Sequence, residues 1–210
     1  MEAIKFKTLT VESEIETYLK KFEGFVGVRL PYDYATRSKI VGVFRGSEMV
    51  GGYMIVTKPE FRSLMFVPDT VKNSHAFFQN DSYEMMEVNG VWISPAVKSA
   101  LENYRIWFHL LKSMFFARKQ YVLLMADLRN GNVRNLHSLL NPELLYEGPP
   151  MLKAGTTSHS TIRVSVTTRW QILFNLPKYY MTFRERARRS NKRAKVRAFG
   201  RMAREAEAQS

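Results

Sequence analysis

Residues 85–140, MMEVNGVWISPAVKSALENYRIWFHLLKSMFFARKQYVLLMADLRNGNVRNLHSLL, decide how this chain is read. The run YEMMEVNGVWIS, which begins two residues earlier at 83, is long enough for a central β-strand. Asn89-Gly90 inside it predicts a bulge, because glycine accepts backbone conformations that open a strand ladder. From Ser99 to Lys119 apolar residues such as Leu101, Tyr104, Trp107, Leu111 and Met114 cover more than half of a helical circumference, so this helix is expected to be largely buried. YVLLMAD (121–127) is the continuous apolar run of a strand covered on both faces, and NVRNLHSLL (132–140) has the spacing of a short amphipathic helix.

Outward from this stretch, AIKFKTL (3–9) alternates apolar and polar residues as a half-buried strand does. Helical spacing takes over in TVESEIETYLKKF (10–22), where Val11, Ile15, Tyr18, Leu19 and Phe22 share a face. Thr10 is the expected N-cap and Gly24 the expected end. In KIVGVFRGSEMVGGYMIVTKP (39–59) two β-rich runs flank RGSE, a tight hairpin. Residues 59–80 are broken by Pro68, Asp69 and Asn73 and give no clear period, with a short strand expected at RSLMFV (62–67). LLYEG (144–148) and TIRVSVTTRW (161–170) read as two further strands. These elements amount to an α/β fold with a mixed, mostly antiparallel sheet flanked by helices, over residues 1–176, followed by a basic, partly helical extension over 177–210.

A chain of 210 residues with 45% hydrophobic and 24% charged side chains is long enough for one substantial core. With no cysteine there can be no disulfide, thiolate metal site or cysteine nucleophile. His75, His109, His137 and His159 show no metal-ligand spacing, so no metal site is expected. No P-loop, dinucleotide glycine pattern or nucleophile elbow is present. No apolar run reaches membrane-spanning length, and Glu2, Lys5 and Lys7 stand where a secretory signal would be apolar; a soluble, cytoplasmic chain is expected.

The net charge of +13 is unevenly spread, since residues 181–210 hold ten Arg or Lys against three Glu, a net of +7. Arg184, Arg186, Arg188, Arg189, Lys192, Arg193, Lys195, Arg197 and Arg201 are the candidate contacts of a basic arm. Nucleic acid, an anionic membrane surface and an acidic protein face would each satisfy it, and a solvated tail that only raises solubility is the plainer reading.

The order of elements resembles the GNAT superfamily of acyl-CoA N-acyltransferases, over roughly residues 1–170 and most clearly over 83–148. Two segments carry the resemblance. MMEVNGVWISPAVKSALENYRIWFHLL is similar to the superfamily's strand, loop and helix that hold acyl-CoA, and YVLLMADLRNGNVRNLHSLLNPELLYEG to the segment that follows, with Asn132 matching an Asn that begins the short helix. The resemblance implies that the two central strands splay apart at the bulge and that the pantetheine arm lies in the gap. It makes Trp92, Ile93, Ser94, Lys98, Ser99, Ala100 and Asn132 the expected carrier-binding residues. No permanently bound cofactor is implied, acyl-CoA being a substrate. The superfamily places glycines in its pyrophosphate loop so that backbone amides approach the phosphates. SPAVKSAL (94–101) has none, although Lys98 is cationic and Ser99 can cap the helix.

N-acyl transfer needs a base for the amine proton, donors for the oxyanion and an acid for the leaving thiolate. Glu84 and Glu87, three apart on the long strand, are expected on opposite faces, and Glu87 near the bulge is the candidate base. Tyr146 or His137 is the candidate acid. Two function classes follow from these residues. One is an N-acyltransferase with a divergent carrier loop and a docking arm. The other is an inactive GNAT-like scaffold held to nucleic acid or a large assembly by its basic end.

Overall fold

The computed structural model of the protein describes residues 2–129, 131–151 and 161–207, together with their side chains apart from those of residues 132, 187 and 190–207. In chain order the elements are β1 (Ile4–Leu9), α1 (Glu12–Val26), α2 (Tyr32–Thr36), β2 (Lys39–Arg45), β3 (Glu48–Val56), α3 (Arg62–Met65), α4 (Asp69–Ser74), β4 (Met85–Ile93), α5 (Ala100–Phe116), β5 (Tyr121–Asp127), α6 (Gly131–Ser138), β6 (Glu143–Gly148), β7 (Ile162–Thr168) and α7 (Arg169–Glu207). Among the described residues the strands form one sheet in the order β1-β2-β3-β4-β5-β7-β6. Neighbours run antiparallel except β4 and β5, which are parallel and joined by the α5 crossover.

The central strands are mostly apolar because both faces of the sheet are covered. Met85, Met54 and Leu123 pack on one side with Ile15, Tyr18 and Phe22 of α1 and Tyr34 of α2. Their neighbours Met86, Ile55 and Val122 face the other side, against Leu110, Leu111 and Met114 of α5, Leu136 of α6 and Ile172 of α7. Two layers of helix therefore enclose one sheet, as the period-two alternation requires.

The expected bulge is present. Gly52 pairs with Trp92 and Met54 with Asn89, so Tyr53 of β3 stands against both Gly90 and Val91. Gly90 has φ of 62°, a left-handed conformation that disfavours any side chain. Its carbonyl also accepts the buried Tyr18 hydroxyl at 2.5 Å, and a β-carbon at Gly90 would run into that hydroxyl.

Several local expectations change. RSLMFV does not form a strand; Arg62–Met65 is the helical turn α3. The reason is tertiary, because the Ser63 amide in that turn donates to the buried Glu87 carboxylate at 3.0 Å. The residue before α1 is Val11 rather than Thr10, without a side-chain cap, and the helix runs through Gly24 to end at Gly27 in the left-handed region, φ 72°. Tyr32–Thr36, to which the sequence assigned no element, is the short helix α2. Glu84 belongs to a 3-10 turn (Ser82–Glu84) before β4 and is exposed, so it is not a strand partner of Glu87. Arg169 and Trp170, expected at the end of the last strand, open α7, which continues across the 176/177 boundary. Tyr179 and Phe183 keep it on the core, stacked on one another and buried against α5 and α6.

Candidate functional site

Strands β4 and β5 pair only over Met85–Tyr121, Met86–Val122 and Glu87–Leu123, although they are nine and seven residues long. Beyond that point they diverge. The bulge supplies the physical cause, since an extra residue on β4 bends the strand and raises its twist just past the last paired residue. Among the described residues, the facing edges of Val88–Ile93 and Leu124–Asp127 are left without a strand partner on that side. Edge N–H and C=O groups in such a gap can bind an extended chain carrying amides, as an added strand would.

The gap opens into a cavity of about 600 Å³ that crosses the sheet. On the α1 face it is walled by Phe22, Leu30, Arg62 and Phe66, and in the gap by Asn89, Gly90, Val91 and Ala126. On the far face Leu111 and Met114 of α5, Leu136 and His137 of α6 and Tyr179 of α7 complete it. The lining is mostly apolar with a few polar groups, the composition of a ligand site.

Glu87 sits at the root of the splay. It is fully buried, with 0% exposure, rather than solvated at a strand edge. One carboxylate oxygen accepts from the Ser63 amide at 3.0 Å and Asn89 Nδ2 at 3.1 Å, the other from the Tyr34 hydroxyl at 3.0 Å. Asn89 also donates to the Tyr34 hydroxyl at 3.1 Å and lines the cavity, so the network reaches from the carboxylate to the cavity wall. Burial pushes the Glu87 carboxyl above the usual carboxylate range, against the opposing pull of these donors. Tyr34 is raised as well, first by burial and then by the Glu87 charge. Sequence reasoning named Glu87 as a candidate but not its hydrogen-bond partners Tyr34, Asn89 and Ser63, which come from a loop-like stretch, the bulge and an unassigned segment. Only the positions of their elements bring them together.

His137 lines the cavity from α6, and burial pushes its imidazole down to about 4. Tyr146 lies on the edge strand β6 and donates to the Pro149 carbonyl at 2.6 Å, away from the cavity lining. Ile93 lines the cavity, whereas Trp92 is buried on the α1 face and stacks on Phe25 with ring centroids 4.9 Å apart. Ser99 caps α5, its hydroxyl accepting from the Glu102 amide at 3.4 Å, and Ala100 is the first helical residue. Asn132 is in the first turn of α6, and its side chain lies outside the described residues.

The loop before α5 is internally bonded. The Ala96, Val97 and Lys98 amides donate to Ser94 Oγ at 3.2 Å, the Ser94 carbonyl at 2.9 Å and the Ala96 carbonyl at 3.0 Å. Val97 plants its side chain in the core beside Val43, Val50 and Ile106. The Arg45–Glu102 ion pair, 2.8 Å long, puts a carboxylate in the first turn of α5. Three amides of the loop are thus engaged, and a buried valine occupies a loop in which close phosphate approach favours glycine.

On the basic segment Arg184, Arg186, Arg188 and Arg189 are exposed, and Arg186 reaches the cavity lining. Arg189 pairs with Glu185 at 3.3 Å. Lys192, Arg193, Lys195, Arg197 and Arg201 lie on α7, with side chains outside the described residues. Among the described residues no cluster of His, Asp and Glu has the makings of a metal site, and no helix is long and apolar enough to cross a membrane.

No protein-family model and no curated protein matches the sequence. Solved structures do match the fold. The N-acyl amino acid synthase FeeM from uncultured soil microbes is 12% identical with a TM-score of 0.58, the match covering 82% of this chain and 94% of that one. The ribosomal-protein-S18-alanine N-acetyltransferase of Escherichia coli is 8% identical with a TM-score of 0.54, covering 79% and 93%. The yncA protein of Salmonella typhimurium, solved with its cofactor acetyl-CoA, is 10% identical with a TM-score of 0.51, covering 80% and 95%. The splayed β4–β5 pair, the bulge at Gly90, the α5 crossover and these likenesses together establish that the chain has the fold of the GNAT N-acyltransferase superfamily.

Proposed function

We propose that the protein is an N-acyltransferase that moves an acyl group from a pantetheine-type thioester, such as an acyl-CoA, to an amine. The observation that carries this reading is the 600 Å³ cavity running through the strand gap, apolar on its α5–α6 side and joined to the Glu87–Asn89–Tyr34 network at its root. The pantetheine arm lies between the free edges of β4 and β5, and the acyl chain fills the apolar end. The amine nitrogen attacks the thioester carbonyl from the Asn89 side and gives up its proton toward Glu87, whose pKa burial raises; the C–S bond breaks as the tetrahedral intermediate collapses, and the thiolate leaves as the free thiol, taking the proton that Glu87 received. Edge amides of β4 donate to the oxyanion. Arg62, a cation on the cavity wall beside this network, suits a carboxylate on the acceptor, as in an amino acid.

The engaged amides of residues 96–98 assign little of the donor affinity to a pyrophosphate. They also favour a second reading, a scaffold whose donor site has decayed and whose basic end binds nucleic acid or an assembly. Thermal shift with acetyl-CoA, a long-chain acyl-CoA and the matching S-acyl-pantetheine separates the two. At a hundredfold excess over Kd a native-state ligand adds about 2.7 kcal/mol. The enzyme reading expects both long-chain thioesters to stabilise similarly and acetyl-CoA less. Absence of a shift with all three removes it and leaves the scaffold.

A further inference from the structure

Helix α7 is apolar on two opposite sides. Its inner side, with Ile172, Tyr179 and Phe183 at 1%, 4% and 5% exposure, packs on the core. Its outer side carries Trp170, Phe174 and Met181, spaced four and seven residues apart, at 50%, 75% and 57% exposure. A single buried face would have been enough to hold the helix on the domain, so the outer stripe calls for another explanation. Alongside it, the outer stripe of α5 reads Leu101, Arg105, Phe108, Lys112, Phe116, all exposed. The two stripes are continuous. Tyr104 bridges Phe108 and Tyr180, with centroids 5.8 Å from each, and Phe115 bridges Phe116 and Trp170 at 5.5 and 5.9 Å.

Among the described residues the charges around this face are mostly positive. Arg105 and Lys112 interrupt the α5 stripe, Lys178 flanks the α7 stripe, and Arg184 and Arg188 continue it at the same helical spacing into the basic end. Among the described residues, the carboxylates of Glu102 and Glu185 near it are paired with arginines, Glu102 with Arg45 and Glu185 with Arg189.

We propose that the outer faces of α5 and α7 form a docking surface for an anionic lipid bilayer, on which the two helices lie in the membrane interface. Exposed aromatic and aliphatic side chains enter the acyl-chain boundary while the flanking cations meet lipid headgroups, the pattern of an interfacial helix. Trp and Tyr are the side chains suited to that boundary. A nucleic-acid surface would use the cations and leave Leu101, Leu173 and Met181 unexplained, since a phosphate backbone offers them nothing to bury against. The same helices turn Leu111, Met114 and Tyr179 to the cavity, which lies one helix layer above the bilayer. The proposal stands on exposure, spacing and charge, and does not depend on the acyltransferase reading.

The test is binding of the full chain to vesicles of phosphatidylcholine alone and of phosphatidylcholine with about 30% phosphatidylglycerol. Co-sedimentation with the anionic vesicles is expected, weakening with salt. Trp170, more exposed than the buried Trp92, is expected to shift its emission to the blue on those vesicles and to be quenched by brominated acyl chains, and a Trp170→Phe variant is expected to lose both signals. In a Trp170→Ser/Phe174→Ser variant vesicle affinity is expected to fall at least about tenfold, with the melting temperature and retention on single-stranded RNA unchanged. The chain staying in the supernatant with anionic vesicles overturns the proposal. So does binding that survives the double substitution, which would make the arginines alone responsible, or loss of RNA retention in step with vesicle binding, which would make the face a nucleic-acid site. Quenching by brominated chains needs no variant, so a poorly folded substitution does not leave the question open.

Discussion

Acidification should cost this protein stability through His137, and by a predictable amount. The imidazole lies in the cavity wall, and burial holds its pKa at about 4 in the folded state. In the unfolded chain a histidine titrates near 6.5. Between those values the unfolded chain binds more protons than the folded one, so stability rises with pH. The contribution is fully present above about pH 6.5 and is lost as pH falls through the folded pKa. Linkage gives a loss of about 1.4 kcal/mol at about pH 5.5 and about 3 kcal/mol at about pH 4. For a chain of this length the first figure corresponds to roughly 3–6 °C in Tm. The reference is His137→Gln, which keeps a polar side chain of similar reach but cannot charge. Urea unfolding followed by circular dichroism, from about pH 8 to about pH 4.5, measures the difference between the two proteins and so cancels every other titrating group. Parallel pH profiles, or a wild type that gains on the variant in acid, would refute the reasoning and place the imidazole in water.

Glu87→Gln should lower turnover by about 10²–10⁴ if Glu87 takes the amine proton, measured with any accepted amine donor pair. Because the folded pKa of Glu87 is raised, its contribution to stability is present below the unfolded value and lost as pH rises; the Gln variant should therefore be at least as stable as wild type at about pH 8, and urea melts at two pH values check the sign. Gly90→Ala forces a side chain into a left-handed conformation against the Tyr18 hydroxyl, and should cost about 1–3 kcal/mol in equilibrium unfolding. Leu111→Trp should fill the cavity from α5 and abolish stabilisation by a long-chain thioester while a short-chain one still binds, as read by thermal shift.

Much of the fold was legible because it rests on local rules. Continuous apolar runs mark strands buried on both faces, as in YVLLMAD, and Asn89-Gly90 marks a backbone that favours glycine. The same rules misread short segments whose structure answers to distant groups. RSLMFV has strand composition, yet the Ser63 amide is drawn into a helical turn by a carboxylate on β4, 24 residues away. Phe183, in the basic extension, is buried because Tyr179, Tyr104 and α6 complete its surroundings, which no local period signals.

Residue types and their periods were enough to set out most of the sheet strands with α1, α5 and α6, the bulge and the basic end, since each depends on neighbours in the chain. Sequence could also nominate Glu87. Its burial, its bonds to Tyr34, Asn89 and Ser63, the length over which β4 and β5 part, and the second apolar side of α7 were decided only by tertiary structure. The reason is physical: solvation and pKa depend on what surrounds a side chain in three dimensions, and those surroundings come from segments that the chain brings together only when it folds.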